Sequence, residues 1–310
     1  MIDHEVALQD FADSFGTTVE DIPVVCRELI KNGNFWYSIP KGSERDDIIL
    51  GVLKRIDEDK QIIGAEERKT IWENGWAESL EEFKSSNYDP KTLVPKFIRK
   101  DQIIRFKQDY IIPSSPTFEL DYMNVFRLWL FDKYFKDCDP IYEFGCGTGF
   151  NLLVLSKLFP EKVLKGSDFV PSSVELVNQM GKTYNLNLTG FLFDMIIPDT
   201  SIKLEKGSGI FTFGAVEQLA SKFDPFLQYI LDQTPKICVH IEPTLELYDE
   251  TNLVDYLALK FYRKRGYTQG FLSRLRELEA QNKIELIKVK RLYFGSLYLE
   301  GYMYIIWRII

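Results

Sequence analysis

"IYEFGCGTGFN", residues 141–151, is the stretch whose reading decides the fold. An apolar run carrying one acid, Glu143, ends in three glycines, Gly145, Gly147 and Gly149, spaced G-x-G-x-G. A helical pattern begins at once, at Phe150. Glycines permit tight backbone angles and let a ligand approach the main chain closely. The helix behind them presents free N–H groups and a partially positive end. A strand, a glycine loop and a helix in this order make a nucleotide-binding element, or else a plain tight turn.

Working outward, strands and helices alternate from Thr117 onward. "TFELDYMNVFRLWLFDKYF" (117–135) reads as an amphipathic helix capped by Thr117 or Ser115. The strands "PIYEFG", "VLKGSDF", "TGFLFDM", "GIFTFGA" and "KICVHIEP" follow, with helical patterns at 150–159, 172–184 and 216–234. This alternation predicts a parallel sheet covered by helices on both faces. "IIPDTSIKLEKGS" (196–208) makes a poor helix, so the crossover between the third and fourth strands is short or irregular. The tail holds two more helices and then "IELIKVKRLYF" and "YLEGYMYIIWRII", separated by only "GSL". Strands that close in sequence pair antiparallel. The expected fold is therefore α/β and Rossmann-like, a seven-stranded, mostly parallel sheet with an antiparallel last strand.

The chain before "PSSP" (113–116) differs. It reads as helices at 18–33, 44–59 and 65–86, then a strand or hairpin in "FIRKDQIIRFKQDYIIP" (97–113). We expect two regions. Residues 1–116 form a mainly helical substrate cap with a short hairpin, and residues 117–310 form the ligand-binding domain.

Composition narrows the function. Of 310 residues, 45% are hydrophobic, enough for a large core. A net charge of −8 disfavours a nucleic-acid partner, since proteins that grip phosphate backbones are usually basic. No run of about 18 uncharged apolar residues offers a membrane span. The four cysteines lack CxxC spacing and the start lacks a signal-peptide core, which suggests a cytoplasmic protein with reduced thiols. Two histidines, His4 and His240, exclude a multi-histidine metal site, so no metal is expected.

A second acid sharpens the loop. Asp168 ends the next strand about 20 residues on, where a carboxylate accepts hydrogen bonds from a ribose diol. The dinucleotide fingerprint G-x-G-x-x-G/A needs a small third residue for close helix–strand packing, and here Phe150 stands there. That argues against NAD. The G-K-[ST] of a P-loop is also absent.

"YEFGCGTGFN", with Asp168 and then Asp194 after the third strand, resembles the motif series of class I S-adenosylmethionine-dependent methyltransferases. The resemblance runs from about Phe118 to the C-terminus, and the closing hairpin agrees with it. "TIWENGWAESLEEF" and "VPKFIRKDQIIRF" in the first region resemble a bacterial methyltransferase group acting on sugars or other small metabolites. The resemblance implies S-adenosylmethionine as cofactor, with the glycine-loop backbone against its methionine and ribose. It implies that Glu143 orients the loop and the amino group, that Asp168 takes the ribose hydroxyls, and that Phe169 packs on the adenine. Asp194 would accept from the adenine amine and Met195 would offer its backbone N–H. Phe213 to Glu217 would lie under the sulfonium and the substrate.

The candidate catalytic residues are Glu217, at a helix start, and His240 and Glu242, two apart on the fifth strand and so on one face. Each also has a plain structural role: helix-dipole carboxylate, core histidine, strand-end acid. Trp72 and Trp76, one turn apart, are a lid wall or core packing. Arg99 and Arg105 are candidates for gripping an anionic group of the substrate, and Tyr110, Phe118 and Tyr122 for facing a cation. The leading function is methyl transfer to a small-molecule acceptor. Alternatives are a protein or peptide acceptor, a cofactor-binding regulatory module without turnover, and another transfer from a nucleoside-bearing donor. The acceptor atom and the oligomeric state stay open.

Overall fold

A computed structural model of the chain describes residues 4–63 and 67–310. Ala65 and Glu66, expected to open the third helix, lie outside the described residues. The N-terminal region contains β1 (His4–Glu5), α1 (Leu8–Phe15), α2 (Val24–Asn32), β2 (Trp36–Ser38), α3 (Ser43–Glu58) and α4 (Glu67–Ser85). The hairpin β3 (Ile104–Phe106) and β4 (Asp109–Pro113) follows. α2 starts later than the expected Thr18, because Pro23 immediately precedes its first turn, and it stops before Gly33 as expected. The β3–β4 turn is two residues, Lys107 and Gln108, both with positive φ. That is the twist a tight hairpin requires, achieved here without glycine.

The second region begins with α5 (Phe118–Phe135), then β5 (Ile141–Phe144), α6 (Phe150–Leu158), β6 (Leu164–Asp168), α7 (Pro171–Thr183) and β7 (Leu188–Leu192). β8 (Gly209–Phe213), α8 (Asp224–Gln233), β9 (Ile237–Ile241), α9 (Leu253–Arg265) and α10 (Phe271–Ala280) come next. β10 (Ile284–Lys290), β11 (Phe294–Gly295) and β12 (Tyr304–Ile309) close the chain. The main sheet has seven strands in the order β10-β12-β9-β8-β5-β6-β7. β5 to β9 pair parallel, and β12 pairs antiparallel with both β9 and β10. No helix separates β7 from β8, as the poor pattern at 196–208 predicts. Strand alternation sorts the core. Ile141, Phe211 and Val239 pack on the α5–α6–α7 face, while Tyr142, Ile210 and Cys238 pack on the α8–α10 face.

Three expectations need correction. α5 is not amphipathic: residues all round it are buried, because it is clamped between the sheet and the N-terminal helices. It also lacks the expected side-chain cap. The helix expected over 216–234 is a 3-10 turn, Val216–Leu219, and a separate α8 with Pro225 in its first turn. The closing hairpin is not joined by a short turn. Residues 291–303 leave the sheet, and β11 pairs with β3 in a second sheet ordered β1-β2-β4-β3-β11. The N-terminal region is thus hydrogen-bonded to the C-terminal tail. A buried charge network, Arg105–Asp255–Arg291–Glu300, reinforces the same seam.

Candidate functional site

The glycine loop sits at the carboxyl end of β5, the place where open α/β sheets bind ligands. Gly145, Gly147 and Gly149 have φ of 73°, 53° and 72°, a left-handed backbone that side chains disfavour. Space is equally tight, since a Cβ on Gly145 would stand 2.4 Å from Ala215 Cβ. The N–H groups of Gly145 and Cys146 both donate to Ser167 O, at 2.8 and 2.9 Å. Gly149 is the residue before α6 and shapes the turn, away from the cavity wall.

The loop opens on a cavity of about 710 Å³. Glu143, Gly145, Gly147, Phe213 and Glu217 line it, as do Trp72, Trp76 and Arg99 from the first region. Glu143 is 1% exposed. Its Oε1 accepts from Asn151 Nδ2 at 2.7 Å, and its Oε2 has no partner among the described residues. Burial pushes its carboxyl up to about 8, against the pull of Asn151 and Arg127. Phe150 lies under the Arg127 guanidinium, 3.9 Å from ring centroid to Cζ, and turns toward the cavity. The residue that reads as misplaced for a dinucleotide loop is thus part of a cation–π stack below Glu143.

Trp76 lies on Gly147, so close that a Cβ there would meet its ring at 2.9 Å, and its ring stacks on Trp72 at 5.4 Å. α4 is held in this position by Ser172 Oγ, which donates to Glu73 O. Thr148 Oγ1 donates to Leu93 O at 2.6 Å, a second tie between the loop and the first region.

Asp168 is buried behind the loop. Its Oδ2 accepts from Gly147 N–H at 3.1 Å and its Oδ1 from Val170 N–H at 3.1 Å. Burial raises its carboxyl to about 6, and these N–H groups hold it down. Phe169 is half-buried, Met195 is buried, and Asp194 accepts from Ile196 N–H at 2.8 Å. None of these four lines the cavity, and Asp194 stands two residues past the end of β7 rather than ending it.

His240 and Glu242 do not face the crevice. Their shared face is the one that α8 and α10 cover. His240 is 0% exposed, its ring packs on Phe271 and Trp307, and its Nδ1 pairs with Thr212 Oγ1 at 2.9 Å. Burial lowers its pKa to about 3, so it is a neutral core residue. Glu242 is 3% exposed and takes the backbone N–H groups of Ala215, Val216 and Glu217 at 3.0–3.1 Å. It staples the turn after β8 and leaves only Glu217, of the three candidates, in the cavity. There Gln218 Nε2 donates to Glu217 Oε1 at 2.8 Å.

Arg105 is fully buried in the ion network, and Tyr110, Phe118 and Tyr122 are core residues away from the cavity. The sequence reading missed Glu119 and Tyr302. Both line the cavity, and Tyr302 OH donates to Glu119 Oε1 at 2.8 Å. The signal was present in the i, i+4 spacing of Glu119 and Met123, which places both on one face of α5.

No family model and no curated protein matches the chain. Solved structures are similar. Human N-acetylserotonin methyltransferase in complex with SAM is 14% identical with a TM-score of 0.49, covering 96% of this chain and 74% of that one. The methyltransferase domain of bacterial CtHen1 is 15% identical, with a TM-score of 0.45, covering 60% of this chain and 100% of that one. CcbJ methyltransferase from Streptomyces caelestis is 12% identical with a TM-score of 0.42, covering 59% and 89%. The sheet itself carries the fold assignment: five parallel strands with β12 inserted antiparallel between β9 and β10. The chain has a Rossmann-like α/β fold. Among the described residues, no helix is long and apolar enough to cross a membrane, and no cluster of His, Cys, Asp or Glu is placed to hold a metal.

Proposed function

We propose that the protein binds S-adenosylmethionine and transfers its methyl group to a small molecule enclosed by the first 116 residues. The observation that carries this is Glu143: a buried carboxylate beside a glycine cradle, in the cavity lining, with one oxygen that lacks a partner among the described residues. An α-ammonium group is the natural complement of that oxygen. The ring of Phe213 suits a sulfonium, whose charge a ring face attracts. Asp168 and Asp194 retain acceptor capacity for the nucleoside behind the loop, next to Phe169 and Met195. When bound, S-adenosylmethionine supplies a methyl already activated on sulfur. The chain's own work is to hold donor and acceptor in line and to exclude water, which α4 and the 94–103 segment do by walling the cavity. A volume of about 710 Å³ is in the usual range of small-molecule sites, which favours a small acceptor over a protein.

Calorimetry with S-adenosylmethionine, S-adenosylhomocysteine and NAD tests the reading. The first two are expected to bind and NAD is not. Absence of heat and of thermal shift with the first two removes the proposal.

Trp76 supplies a second expected result. Its ring covers Gly147, the residue whose N–H reaches Asp168, so a nucleoside at Asp168 must displace it. Saturating S-adenosylhomocysteine should therefore shift the tryptophan emission, and Trp76→Phe should remove most of that shift while binding persists. An unchanged emission spectrum at saturation would show that Trp76 stays in place.

A further inference from the structure

Glu119 is the buried acid of the cavity for which the donor reading has no use. It lies in the first turn of α5 and is 4% exposed. Tyr302 OH donates to its Oε1 at 2.8 Å, and Gln102 Nε2 donates to its Oε2 at 3.3 Å. All three side chains line the cavity, and they come from three separate parts of the chain: α5, the loop before β3 and the segment before β12. Three converging elements are more than a helix-dipole carboxylate needs. Among the described residues no lysine or arginine forms an ion pair with Glu119, so its charge is not compensated by a cation. A carboxylate offers about four acceptor positions, and two are occupied here.

Position adds to this. Met123, one turn along α5, also lines the cavity, and Arg127, a turn further, stacks on Phe150 near Glu143. The cavity floor thus runs from Glu143 at the glycine loop to Glu119 at the head of α5. Tyr302 stands edge-on to Phe213 at 6.0 Å, so the Glu119 end of the cavity adjoins the end of β8. Burial raises the Glu119 carboxyl to about 7 despite the Tyr302 hydrogen bond. A group in that range can exchange a proton near neutrality.

We propose that Glu119, held by Tyr302 and Gln102, is the acceptor end of the cavity and takes the proton of a hydroxyl-bearing small molecule as that hydroxyl is methylated. The proposal rests on the methyl-transfer reading. Methylation of a hydroxyl forms one O–C bond and breaks the C–S bond, whose electron pair stays on sulfur. The sulfonium becomes a neutral thioether, and the one proton released from the hydroxyl goes to a Glu119 carboxylate oxygen. An oxygen nucleophile needs such a base, whereas methylation of an already neutral amine does not.

The test uses two donor analogues and no acceptor. S-adenosylhomocysteine lacks the methyl, while sinefungin carries an amine in its place, directed toward the acceptor end. The wild-type protein is expected to bind sinefungin more tightly than S-adenosylhomocysteine. Glu119→Gln should weaken sinefungin by about tenfold to a hundredfold, the worth of a charge-assisted hydrogen bond, and change S-adenosylhomocysteine less than about twofold. Tyr302→Phe, which keeps the ring, should weaken sinefungin in the same selective direction and serves if Glu119→Gln unfolds. Equal losses for both analogues, or no loss for either, overturn the proposal. Failure of the wild-type protein to bind S-adenosylhomocysteine at all overturns the methyl-transfer reading, and this proposal with it.

Discussion

Replacing Arg291 with Met is expected to destabilise the protein by about 3–5 kcal/mol, the usual consequence of removing one partner from a buried ion pair. Arg291 donates to Glu300 through Nε and Nη2 at 2.7 and 2.8 Å. It donates to Asp255 through Nη1 and Nη2 at 2.7 and 2.6 Å, and to Leu247 O at 3.0 Å. Arg105 completes the set, with Nη2 on Asp255 at 3.0 Å and Nη1 on Val254 O at 2.7 Å. Two cations and two anions balance inside the protein. Without Arg291, two buried carboxylates share Arg105 alone. The damage extends beyond one pair because the four side chains come from β3, α9 and the two flanks of β11. That is the seam where the first region joins the sheet domain. Urea unfolding measures the effect as a lower midpoint. A change under about 1 kcal/mol would show that the network is dispensable. Adding Asp255→Asn and Glu300→Gln to Arg291→Met should recover part of the loss, since the stranded charges are then gone.

The sheet was legible because strand–helix alternation and a glycine loop are local signals. β11 was not. Two residues make a strand only because β3 lies beside them, and nothing within 291–303 encodes a partner nearly 200 residues earlier. The same blindness affected α5. An apolar pattern tells that a helix is buried on one face, but its second covering layer, α1 and α2, lies elsewhere in the sequence. At the site, the place of the glycine loop and Glu143 beside the cavity could be read because strand, loop and helix are neighbours in sequence. For His240 and Glu242, period two established that they share a face, and left open which layer covers that face. α8 and α10 decided it. Glu119 escaped notice because an acid in the first turn of a helix has a ready explanation in the helix dipole. Only the convergence of Tyr302 and Gln102 distinguishes it.

Donor affinity is expected to rise with pH between about 6 and 8, and Glu143→Gln is expected to abolish most of that rise. The sign follows from burial. Glu143 has an ordinary value of 4.5 and is pushed up to about 8 in the folded chain. The groups facing it are Asn151, whose N–H it accepts, Arg127, which pulls its carboxyl down, and Asp168, which pushes it up. The Cys146 thiol beside it is itself held far up by burial and stays neutral. Because the folded value is raised, the folded protein holds a proton that the unfolded chain releases. Stability of the ligand-free protein therefore falls as pH rises from about 4.5 to about 8, where the cost of the buried charge is complete. An ammonium group at Oε2 reverses the balance, because it favours the ionised carboxyl. Binding near pH 7 must then expel a proton, and affinity climbs by up to about tenfold per pH unit until Glu143 is ionised beforehand. Asp168, at about 6, is ionised earlier, and Glu119, at about 7, stands at the other end of the cavity floor, so the part of the slope that Glu143→Gln removes belongs to Glu143. Glu143→Gln keeps the shape and the amide contact to Asn151, and should weaken S-adenosylhomocysteine about a hundredfold at pH 8 and less at pH 6. Calorimetry in buffers of different ionisation heat reads the expelled proton directly. A proton release that persists in Glu143→Gln, or an affinity flat across this range in the wild-type protein, would place the ammonium elsewhere than on Glu143.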